Sequence, residues 1–107
     1  VSEFVLGLPK VHSTAGQEIF RSSPRVMFKP KRLVLGGELV GHVIEIVLKV
    51  EGRIQELPSI LGKDYTAHAK PIFLDLHTIR PGEWVELHCK NNIQATDTFV
   101  QAALIGT

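Results

Sequence analysis

An all-β fold, a sandwich of two antiparallel sheets, is what this sequence predicts. Three observations lead there. Residues 42–50 alternate: His42, Ile44, Ile46, Leu48 and Val50 share one face, and Val43, Glu45, Val47 and Lys49 share the other. That two-residue period, rich in β-branched side chains, marks a half-buried strand. Turn residues (Gly36-Gly37, Glu51-Gly52, Pro81-Gly82) punctuate the chain between short apolar runs. No segment carries the 3.6-residue apolar period of a helix.

The elements follow in order. Residues 1–15 read as an N-terminal arm and residues 16–107 as the sandwich domain. The arm's Phe4-Val5-Leu6-Gly7-Leu8-Pro9 is apolar, but Gly7 and Pro9 should interrupt any regular element. Residues 18–21 and 25–28 read as short strands around Ser22-Ser23-Pro24. Pro24 and Pro30 lack a backbone donor and belong at edges or bends. Residues 33–35 form a strand stopped by Gly36-Gly37. After the 42–50 strand, residues 53–57 continue as strand. Pro58, Gly62 and Asp64 then suggest a long loop with one helical turn at 59–61.

Ile72, Leu74 and Leu76 alternate with Phe73, Asp75 and His77, which predicts a strand over 71–78. Pro81 and Gly82 suit the second and third positions of a type II turn, where the glycine needs positive φ. Val85, Leu87 and Cys89 then alternate with Trp84, Glu86, His88 and Lys90, and Asn91-Asn92 closes that strand. The last strand, residues 98–105, is apolar on both faces, with Phe99, Ala103 and Ile105 opposite Val100, Ala102 and Leu104. A strand of that kind is covered on both sides. The expected core is Ile44, Ile46, Leu48, Leu74, Leu76, Val85 and Leu87.

Composition bounds the function. A chain of 107 residues, 44% hydrophobic and 21% charged, suits one domain with its own core. The net charge of +1 gives no strong pull toward nucleic acid or membrane. No apolar stretch approaches the roughly 18 residues of a membrane span. The first nine residues lack the basic segment and long apolar stretch of a signal peptide. Because the chain begins at Val1, an initiator Met has been removed or the sequence is trimmed. The single Cys89 rules out an internal disulfide framework and reads as a buried thiol.

Few residues suggest chemistry. If Arg80-Pro81-Gly82-Glu83 closes a hairpin, one register sets His77 opposite Glu86 and Asp75 opposite His88. Zinc accepts such ligands but needs three or four converging on one point, which nothing in the spacing enforces. A solvated face stabilised by opposite charges is the simpler reading, and no metal or cofactor is expected. Ser59 follows Pro58 without a Gly-x-Ser-x-Gly context. Leu35-Gly36-Gly37-Glu38 is not a phosphate loop, because no helix opening with Lys-Ser or Lys-Thr follows. An enzyme is therefore not expected.

Arg21, Arg25, Lys29, Lys31 and Arg32 fall within twelve residues. Arg21, Arg25 and Lys29 share a strand parity and could meet phosphates or an acidic partner. Basic residues also protect sheet edges, and aromatic residues for stacking bases are sparse here, so nucleic-acid binding stays a minor reading. Trp84 shares the polar parity of Glu86 and His88. An exposed Trp there suggests a ligand or subunit contact, unless the ring caps the sandwich edge.

Three segments resemble one family. They are the run from Arg25 to Leu35 containing Phe28-Lys29-Pro30-Lys31-Arg32-Leu33, the Pro81-Gly82 turn with Trp84-Val85-Glu86-Leu87 and Lys90-Asn91-Asn92, and the ending Phe99-Val100-Gln101-Ala102-Ala103-Leu104-Ile105-Gly106-Thr107. Together they cover about a third of the chain. They resemble the small single jelly-roll capsid and decoration proteins of bacterial viruses. The resemblance implies a jelly roll, a virion location and a homo-oligomeric structural role beside other shell proteins. It transfers no catalytic residue.

The expected assembly interface is the arm (Phe4, Val5, Leu6, Leu8) with Val100 and Leu104 of the final strand. The alternative is a carbohydrate- or other ligand-binding sandwich, secreted or cytoplasmic, using Trp84 with Arg21, Arg25 or Lys29. A small metal-dependent enzyme built on Asp75, His77, Glu86 and His88 ranks third.

Overall fold

The computed structural model describes residues 3–94 and 100–107. Among them are eight strands: β1 (Phe4–Leu8), β2 (Lys10–Thr14), β3 (Gln17–Ser22), β4 (Pro30–Gly36), β5 (Val43–Val50), β6 (Arg53–Gln55), β7 (Val85–Asn91) and β8 (Gln101–Gly106). Two short 3-10 turns lie at Val40–His42 and Gly62–Tyr65. The strands form two sheets, ordered β1-β8-β4 and β2-β3-β7-β5-β6. All named pairings are antiparallel. The two sheets pack face to face as a sandwich, as the alternation and turn signals predict.

The pairing is nested. β1 pairs with β8, β3 with β7 and β5 with β6. Residues 71–79 run extended beside β4, through an antiparallel Phe28–Ile79 bridge and a Leu74 N–H that donates to the Lys31 carbonyl at 2.7 Å. The first half of the chain thus meets the second half in reverse order, across both layers.

Alternating side chains fill the space between the layers. Leu6, Leu104 and Leu33 are register neighbours across the small sheet, and all three are buried. They face Phe20, Leu48, Val85 and Leu87 of the large sheet within one apolar core. The tight β5–β6 hairpin forms where Glu51 and Gly52 both adopt positive φ, as a two-residue loop between twisted strands requires. Gly82 has φ +86°, and the Glu83 N–H donates to the Arg80 carbonyl, so the expected tight turn is present.

Several expectations need correction. Residues 4–14 are not an arm separate from the 16–107 domain, because β1 edges the small sheet and β2 edges the large one. Gly7 is accommodated in mid-strand with open space where a Cβ would stand. Pro9 falls between the two strands, where its missing donor breaks no ladder bond, and its carbonyl accepts from the Arg21 N–H at 3.0 Å.

Ile44, expected in the core, is 40% exposed. The register of β5 against β7 shifts between Val43 and Glu45, so a bulge turns Val43 inward and Ile44 outward. Residues 71–78 keep the expected alternation, with Leu74 and Leu76 buried, but form no strand ladder. Extended backbone alternates its side chains whether or not both edges are hydrogen-bonded.

Residues 25–28 are likewise not a strand, apart from the Phe28 bridge. The helical turn expected at 59–61 falls at Gly62–Tyr65 instead. There the Tyr65 hydroxyl donates to the Ser59 carbonyl at 2.7 Å and accepts from the Ser59 N–H at 3.1 Å. The last strand begins at Gln101, and residues 98–99 lie outside the described residues.

Candidate functional site

The two outer faces of the sandwich differ in chemistry. On the large sheet, register rows cross the outer surface as Arg21–Glu86–Lys49, Ile19–His88–Val47 and Gln17–Lys90–Glu45. Charged and polar side chains dominate, as a water-facing sheet surface requires. On the small sheet the rows read Val5–Ile105–Arg32 and Gly7–Ala103–Val34. Five of these six residues are apolar or glycine. Val5 is 57% exposed. Phe73, 72% exposed, joins Ile105 and Lys31 around a shallow hollow of about 150 Å³ at the end of this face.

The expected interface residues divide accordingly. Leu6, Leu8, Val100 and Leu104 are buried in the chain's own core, which overturns their assignment to a subunit contact. Phe4 is half-buried, its ring tilted against Phe28 with centroids 5.1 Å apart. Only Val5 of the expected set stands clear on the outer surface. The outward residues of β8 are the other parity, Ala103 and Ile105.

Asp75, His77, Glu86 and His88 do not converge. The Pro81-Gly82 turn does not close a hairpin, because residues 71–79 lie beside β4 while β7 sits between β3 and β5. Glu86 instead faces Arg21 and Lys49, and His88 faces Ile19 and Val47. Among the described residues no group of three or more His, Cys, Asp or Glu is placed to hold a metal ion. His88 Nε2 lies 4.0 Å from Glu86 Oε2. Burial and the Lys49 ammonium hold its pKa below the usual histidine value, with Glu86 opposing them.

The basic residues are distributed as well. Arg21 sits on the outer face of β3, Arg25 in the following connection, and Lys29 just before β4 in the other sheet. Arg21 lies over the ring of exposed Trp84, 4.2 Å from its centroid. Cys89 is buried and burial pushes its thiol up to about 12, with the Glu18 carboxylate adding to the shift. Glu18, also buried, pairs with Lys10 at 3.2 Å and fastens β2 to β3. Ser59 Oγ donates to Asp64 Oδ2 at 2.5 Å, a contact that clasps the 59–65 loop.

A second concave feature lies at the β6 edge of the large sheet. The β5–β6 hairpin and residues 76–83 enclose a cleft of about 660 Å³. Its sequence signal was weak, because Arg53 and Arg80 stand 27 positions apart and share no motif. No helix among the described residues is long and apolar enough to cross a membrane. What the fold and surfaces define is a two-layer antiparallel β-sandwich with one apolar outer face. No family model, curated protein or solved structure matches the chain.

Proposed function

We propose that this chain is a structural subunit that self-associates through the outer face of its small sheet, as a shell or decoration protein of a virus-like particle. The carrying observation is that face itself: Val5, Gly7, Val34, Ala103 and Ile105 in two adjoining rows, with exposed Phe73 beside them. Contiguous apolar patches beyond a few hundred Å² are rare on monomers. A second copy offers the matching apolar face, and a two-fold contact places the same rows against each other. The polar outer face of the large sheet does not share this need for cover.

Topology supports the same reading. Nested pairing of the first half of the chain with the second, across two sheets, favours a jelly-roll winding, with residues 71–79 extended beside β4. Viral shells use that fold, and so do lectins. The fold alone does not choose between them. The carbohydrate-binding alternative relied on a free Trp84 platform, and the Arg21 guanidinium occupies one face of that ring.

The test is a charge on the apolar face. Ile105→Glu should give a folded protein of lower mass than the parent in light scattering. Equal masses for the two proteins overturn the assignment of this face.

A further inference from the structure

We propose that the cleft between the β5–β6 hairpin and residues 76–83 binds an oxyanion, a phosphate or carboxylate group, held between the guanidinium groups of Arg53 and Arg80. The inference is independent of self-association, which uses the opposite sheet. Val50, Leu76 and Ile79 contribute apolar wall, and Glu51, Arg53, His77, Arg80 and Glu83 supply the polar lining.

Each carboxylate in this lining has one oxygen engaged by a backbone N–H. Glu51 Oε1 accepts from the Trp84 N–H at 2.6 Å, and Glu83 Oε1 accepts from the Arg80 N–H at 2.6 Å. Both brace the turn that leads into β7. Arg53 and Arg80 line one concavity together with His77, and among the described residues neither arginine side chain has a hydrogen bond or ion pair. A guanidinium presents paired N–H donors that match two oxygens of a carboxylate or phosphate, which a lysine ammonium does not.

The backbone under both arginines is fixed. Arg53 follows the tight Glu51-Gly52 loop, and its N–H and carbonyl belong to the hairpin register with Val50. Arg80 opens the Pro81-Gly82 turn, which is tied to the preceding chain by the Gly82 N–H donating to the Pro24 carbonyl at 3.0 Å. A cleft whose walls are set in advance loses little ordering entropy on binding.

The experiment is an amide chemical-shift titration of the full chain with inorganic phosphate. Succinate forms a second arm, and sodium chloride at matched ionic strength is the control. Saturable shifts confined to residues 51–55 and 77–83 support the site. Saturation by phosphate alone identifies a phosphoryl group, and saturation by both identifies a general oxyanion site. The double variant Arg53→Gln, Arg80→Gln should weaken binding by at least about tenfold. Each single variant should weaken it less, so the result does not depend on the double variant folding. Shifts that match the chloride control, or variants that titrate like the parent, overturn the proposal.

Discussion

The guanidinium of Arg21 lies 4.2 Å from the centroid of the Trp84 ring, on the outer face of the large sheet. The register explains the contact. Arg21 is level with Glu86 on the neighbouring strand, and Trp84 precedes that strand by one residue, on the same side as Glu86. A long cation and a wide ring at that diagonal offset are within reach of each other. The contact joins two side chains that the sequence offered as separate candidates for a ligand.

Arg21→Ala should cost about 0.5–1 kcal/mol, the range for an exposed cation–π pair. Trp84 is the only tryptophan in the chain, so its emission reports the change directly. Denaturant melts read by that emission check the value. A variant with unaltered emission and stability would show that the stacking contributes nothing.

The bulge in β5 makes a paired prediction. Ile46 is buried and Ile44 is exposed, although two-residue spacing alone puts them on one face. Ile46→Ala should destabilise the domain by about 2–5 kcal/mol. Ile44→Ala should stay within roughly 0.5 kcal/mol, as surface changes do. Equal losses at the two positions would argue for an unbulged strand.

Deleting residues 1–9 should unfold the domain or lower its melting temperature sharply. The deletion removes β1 from the small sheet and takes buried Leu6 and Leu8 from the core. Thermal melts followed by circular dichroism check this. A truncated protein that melts like the parent would show that the segment is dispensable.

His88 sets a pH dependence. Its pKa is lowered in the folded protein, so the unfolded chain takes up the proton first as pH falls. The stability linked to His88 is therefore complete above the unfolded value of about 6.5 and declines as pH drops below it toward the folded value. Melting temperatures at pH 7.5 and 5.5 should fall less for His88→Gln than for the parent. The same fall in both would remove His88 as the source.

Local chemistry made much of this fold legible. The alternation of Val85, Leu87 and Cys89, the positive φ at Gly82 and the strand end at Glu51-Gly52 all follow from residues a few positions apart. What was hidden depends on long-range pairing. Gly7 and Pro9 carry the same chemistry in a loose arm as in a strand edge, and only the partner β8, some 100 positions away at the Val5–Ile105 step, decides between them by ordering the segment. The same pairing decides which face of β8 is outer. Parity gave two apolar sets, and Leu6 opposite Leu104 fixed the inner one. The Asp75, His77, Glu86 and His88 grouping failed because the turn at Pro81-Gly82 carries the chain between sheets rather than back along one.

Self-association of the unmodified chain is the central point, and sedimentation equilibrium from low to high micromolar concentration measures it. The mass should rise to at least twice the monomer's 11.9 kDa, and Ile105→Glu should hold it near the monomer value. A mass that stays at 11.9 kDa for the unmodified chain at high micromolar concentration would contradict assembly through the Val5–Ile105 face.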